Sequence, residues 1–169
     1  AMAASSLGEL KGRYRMNGAA REFMKEVEAC RVRAISENRE YAVRLLSSDP
    51  TPLDGNTTAN VGSYEILAGD HLRGSQTWSR ISDGLHDLSE GPGGWSGVSI
   101  EPWASLTGPP SYGLPDAVVF SPRGHLLNDP TDFSGGVVRV VFRNKAAPSP
   151  EGRVVRINRG GGAQIAAVQ

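Results

Sequence analysis

The chain has 169 residues, 38% of them hydrophobic, with 18 Lys+Arg against 18 Asp+Glu. That length suits one domain with a substantial core, and the balanced charge by itself says nothing about partners. One cysteine excludes an internal disulfide and a structural zinc site of the cysteine type, and no apolar run approaches the roughly 20 residues that span a bilayer.

The charge is unevenly spread. Residues 7–46 carry nine basic and six acidic side chains, residues 47–116 two and nine, and residues 117–169 seven and three. The middle is therefore acidic and the last third basic. Ala1 precedes Met2, so residues 1–5 read as a remnant of tag cleavage, and residues 6–169 as one domain.

From Met16 onward apolar or small residues recur at Ala20, Phe23, Val27, Cys30 and Ala34, in steps of four and three. That spacing puts them on one stripe of an α-helix, with a charged back in water. Gly8, Gly12 and Gly18 each weaken a helix by about 1 kcal/mol relative to Ala. The spacing thus predicts a helix over about 17–38, frayed before Arg13. Glu22 with Lys25 and Arg33 with Glu37 are paired at helical spacing on its outer face. The helix–sheet packing residues are expected to be Phe23, Val27, Cys30 and Ala34, and Cys30 reads as a small buried apolar residue.

After Asn38 the period changes to two, with Tyr41, Val43 and Leu45 alternating with Glu40, Ala42 and Arg44, which predicts a strand. Asp49–Asn60 is dense in turn residues and reads as a loop. Strands follow at Tyr64–Ala68, Thr77–Ile81, Val98–Trp103, Ala117–Phe120, Gly136–Arg143, Arg153–Asn158 and Ala163–Val168. Pro102 places the fourth at an edge or a strand end. The sum is α+β: one long N-terminal α-helix packed on a largely antiparallel β-sheet of about seven strands over residues 40–169.

Candidate chemistry is sparse. The histidines are His71, His86 and His125. Asp83, His86 and Asp87 have metal-ligand spacing only on a helix, and Gly84 argues for a loop. Asn128, Asp129 and Asp132, and Asp54 with Asn56, lack the ligand spacing of an EF-hand and read as Asx turns. Cys30 on a packed seam is a poor nucleophile. Gly160–Gly162 lacks the Lys and Ser/Thr of a phosphate loop and reads as a flexible turn. No titratable cluster points to catalysis. Arg153, Arg156 and Arg159, with Arg139, Arg143 and Lys145 before them, either form a basic patch for phosphate backbones or guard a sheet edge with charge. Trp78, Trp95 and Trp103 lie in the acidic middle, away from those arginines, which disfavours nucleic-acid stacking.

Four stretches, taken in order, resemble the GspH/FimT branch of type IV pilin-like minor pseudopilins. Ser6-Leu-Gly-Glu-Leu10 is similar to the segment after that family's membrane span. Ala29-Cys-Arg-Val-Arg-Ala-Ile35 with Asn38 resembles its helix end, leading into the strand at Tyr41–Leu46. Val118-Val-Phe-Ser-Pro-Arg-Gly124 resembles its strand and Pro-x-Gly turn. Gly152-Arg-Val-Val-Arg156, after the strand at Gly136–Phe142, resembles its C-terminal Gly-Arg-Val ending. The chain departs from the family at Ala29-Cys30, where Ala-Arg is frequent, and in a longer Gly/Pro-rich middle over 83–116.

The resemblance implies a non-enzymatic subunit of a type IV pilus or type II secretion filament, with no cofactor and no metal. Its partners would be other pilins or pseudopilins. Its native form would be anchored in the inner membrane of a bacterium by an N-terminal apolar helix, with a periplasmic domain, or built into an extracellular filament. Processing would include leader cleavage and N-methylation. Loops 49–60 and 83–116 are the expected partner contacts. The alternative is a DNA-binding minor pilin for DNA uptake, with Arg153, Arg156 and Arg159 on phosphates.

Overall fold

A computed structural model describes residues 2–46, 63–88, 95, 97–102, 106, 112–144 and 152–168. Helix α1 runs Met2–Ser36. At about 1.5 Å per residue it is roughly 50 Å long. It continues unbroken through Gly8, Gly12 and Gly18, so the fraying expected before Arg13 does not occur. It ends two residues earlier than expected, in a Schellman motif. Arg39 N–H donates to the Ala34 carbonyl at 3.2 Å, Asn38 N–H to Ile35 at 3.4 Å, and Asn38 takes the left-handed conformation with φ 50°. Asn tolerates that conformation better than most residues do.

Eight strands follow among the described residues: β1 Tyr41–Leu46, β2 Ser63–Gly69, β3 Trp78–His86, β4 Val98–Pro102, β5 Ala117–Phe120, β6 Val137–Asn144, β7 Gly152–Asn158 and β8 Ala163–Ala167. They form two four-stranded antiparallel sheets, in the orders β3-β2-β1-β5 and β4-β6-β7-β8. A single sheet of about seven strands was the expectation. Local periodicity reports a strand's faces but not which strand its edges meet, so it cannot show that the ladder is split.

The helix seam covers both sheets. Met16, Ala20, Phe23, Val27, Cys30 and Ala34 are all buried. Phe23 is the keystone: its ring meets Tyr64 of the first sheet edge-on at 5.1 Å and Phe142 of the second at 5.5 Å. Burying an aromatic side chain there removes a large apolar area from water, and the edge-to-face geometry adds to it.

The first sheet is covered on its other face too. Ala42, Leu67, Trp78, Tyr112, Leu114, Ala117 and Val119 form a second apolar cluster behind it. All six residues of β1 are consequently buried, polar ones included. Arg44 and Glu65 are opposite each other in the β1–β2 register and pair at 2.9 Å inside this layer. Buried ion pairs roughly offset their desolvation cost, so the pair fixes strand register more than it adds stability.

Candidate interaction surfaces

The flanks of α1 are tied to the sheets by side chains of both charge types. Gly18 lies directly under the Trp95 ring, so close that a Cβ would overlap it. One turn on, Glu22 accepts the Trp95 indole N–H at 2.5 Å. Glu26 lies 3.9 Å from His86, whose ring stacks on Tyr64 with centroids 4.7 Å apart. On the other flank Asn17 accepts from Arg153 Nε at 2.6 Å, and Glu28 accepts from the Ala163 N–H at 3.2 Å. Near the helix end two glycine turns meet Arg31. Its Nε donates to the Gly124 carbonyl at 3.2 Å, and Gly161, at φ 83°, has no room for a Cβ between Arg31 and that carbonyl. The Gly160–Gly162 turn, expected to be flexible, is held by this contact and by Gly161 N–H donating to Asn158 at 2.8 Å.

The side of α1 away from the seam is different. Leu10 and Tyr14, one turn apart, are 63% and 74% exposed, and Val32 and Ile35 are also exposed. Large apolar residues aligned on one helix face in water mark an interaction surface more often than scattered ones do.

The three arginines at the end of the chain do not line one face of β7. Arg153 points with Val155 and Ile157 toward the helix and is bonded to Asn17. Arg156 is on the opposite face of β7, opposite Arg139 in register. Arg159, in the turn beyond the strand, lies over the Phe133 ring at 4.8 Å. Arg143, on β6, is paired with Glu101 at 2.6 Å.

Asp83 and His86 are on strand β3 rather than a loop. Asn128 is buried and acts as a substitute strand partner along β5, accepting from Val119 N–H at 3.0 Å and donating to the Ala117 carbonyl at 2.8 Å. It therefore blunts that sheet edge. Asp129 caps the short 3₁₀ turn Pro130–Asp132, and its bonds from the Thr131 side chain and N–H hold its carboxyl below the usual range. Among the described residues no three His, Cys, Asp or Glu side chains gather as metal ligands, and no helix is long and apolar enough to cross a membrane. Asp54, Asn56, Trp103, Lys145, loop 49–60 and much of 83–116 lie outside the described residues. Cys30 is fully buried, and burial pushes its thiol far up.

A buried polar latch at the start of β1 was not legible from sequence. Glu40 accepts Gly74 N–H at 2.9 Å, Ser75 N–H at 2.8 Å and the Tyr112 hydroxyl at 2.7 Å. Burial, then the bond to Glu40, pushes the Tyr112 hydroxyl up to about 12. Beside this latch, where the helix ends, opens a cavity of about 390 Å³ whose walls include Arg73 and Arg123.

No protein-family model matches the sequence, and no curated protein matches it. Solved structures do match in fold. The minor pseudopilin EpsH of the type 2 secretion system of Vibrio cholerae superposes with TM-score 0.54 at 14% identity, covering 90% of this chain and 97% of that one. A second EpsH structure gives 0.55 at 13%, covering 92% and 95%. The type IV minor pilin FimU of Pseudomonas aeruginosa gives 0.52 at 16%, covering 93% and 95%. Over nearly its whole length, then, this chain has the fold of minor pilins and pseudopilins.

Proposed function

We propose that the chain is a non-enzymatic minor pilin or minor pseudopilin, a structural and assembly subunit of a type IV pilus or type II secretion filament. The observation that carries the reading is the fate of the helix. Its seam is sealed onto two sheets, while Leu10 and Tyr14 face solvent on the half that precedes the seam. A rod that offers apolar side chains beyond its own domain is suited to packing beside other rods. The likeness in fold to EpsH and FimU supports the same role. DNA uptake is the weaker reading, because Arg153 is engaged with the helix and Arg156 faces the other way.

The test is incorporation. The gene's full-length product, expressed in its host with Leu10→Asp and Tyr14→Asp, is expected to fold normally and to be lost from sheared filaments. Incorporation at the wild-type level contradicts the reading. A native N-terminus without a cleavable leader followed by about 20 apolar residues contradicts it independently.

A further inference from the structure

The cavity at the helix end is lined by both apolar and charged side chains. Leu72, Pro122 and Leu127 supply apolar surface, and Arg73 and Arg123 supply charge. Both arginines are exposed, and neither guanidinium has a hydrogen bond or ion pair among the described residues. Glu40 also lines the cavity, but its carboxylate is already committed to Gly74, Ser75 and Tyr112. Three of its roughly four acceptor sites are thus filled, and neither arginine bonds to it among the described residues.

Guanidinium groups bind carboxylates through parallel N–H donors, an arrangement that selects a planar anion. Leu72, 57% exposed at the same cavity, suits an aliphatic side chain adjoining that anion. A bare phosphate would meet the arginines and leave the apolar lining wet. We propose that this cavity receives a loop of a second copy of this chain that presents a carboxylate side chain beside an aliphatic one. Charge complementarity favours that occupant: residues 47–116 of this chain carry nine acidic and two basic side chains and include Leu53-Asp54. That the partner is a filament subunit rests on the function proposed above; the chemistry of the cavity does not.

The experiment is a ¹⁵N NMR titration of the folded domain with acetyl-Leu-Asp-amide, acetyl-Leu-Asn-amide and inorganic phosphate. The expected result is saturable shifts at Leu72, Arg73, Arg123 and Leu127 with the Asp dipeptide. The Asn dipeptide should bind at least about tenfold more weakly, as should the Asp dipeptide to the Arg73→Gln/Arg123→Gln variant, which loses both guanidinium contacts. Spectra of the variant should be unchanged elsewhere, since both side chains are exposed. Absence of saturable shifts overturns the proposal. So does phosphate binding as tightly as the dipeptide, or unchanged affinity in the double variant. Dipeptide binding survives if filament incorporation fails, so the two proposals fail separately.

Discussion

The two halves of helix α1 share one backbone geometry and differ in what covers them. From Met16 to Ala34 every seam residue is sealed against strands, with Phe23 touching both sheets. Before Met16, Leu10 and Tyr14 lie open to water on the side away from the seam, the side that also exposes Val32 and Ile35. Helices in proteins owe most of their stability to packing of an apolar face rather than to propensity. The C-terminal half is therefore anchored along its whole seam, whereas before Met16 the buried position among those described is Gly12, against Asn144, and the rest continues a helix already anchored.

Substitutions on the two halves should differ by several kcal/mol. Phe23→Ala is expected to cost about 3–5 kcal/mol, because it empties a site shared by two sheets. Chemical denaturation measures it, and a loss under 1 kcal/mol would mean the sheets do not meet on this ring. The glycines give a test by sign. Ala for Gly should stabilise an open helical position by up to about 1 kcal/mol. Gly8 has nothing within 4 Å, so Gly8→Ala should raise Tm slightly. Gly18 is under Trp95, and overpacking of about 1–3 kcal/mol outweighs that gain. Gly18→Ala should lower Tm and shift the tryptophan fluorescence. Equal effects at the two positions would remove Trp95 from the helix.

Tyr112→Phe leaves Glu40 short of one donor and should cost about 1–2 kcal/mol at neutral pH. The same residue predicts a pH dependence. Its hydroxyl is raised from 10 to about 12 in the folded state, as is that of Tyr41, by burial and then by its bond to Glu37. A raised folded pKa contributes stability fully present below pH 10 and lost as pH climbs from 10 toward 12. Tyr112→Phe should flatten part of the fall in Tm above pH 10. The smallest effect belongs to the open half: Leu10→Ser and Tyr14→Ser should each change stability by no more than about 0.5 kcal/mol.

Much of this was legible in the chain. The four-and-three spacing from Met16 to Ala34 marked the seam, and period-two alternation marked the strands to within a few residues. What was hidden depends on contacts distant in sequence. Gly18 looked like a flaw because propensity sees only the helix, whereas Trp95 arrives from 77 positions on. Arg44 is a polar position of an alternating strand, and Glu65 lies within the strand Tyr64–Ala68. They are buried because the segment around Tyr112–Ala117 covers the far face of the first sheet. Arg153, Arg156 and Arg159 looked like one patch because they are near each other in sequence, but strand alternation and the turn after β7 part them. Glu40 read as one residue of an alternating strand, and no local pattern shows that three donors from two loops converge on it.

The most direct measurement uses the single native thiol as a built-in blank. Cys30 is fully buried, so a maleimide should report only on an introduced cysteine. Leu10→Cys and Tyr14→Cys are expected to label readily in the isolated domain and to be protected in filaments assembled from the full-length protein. Equal labelling of both positions in the two states would contradict the assignment of the exposed helix face to contacts between subunits.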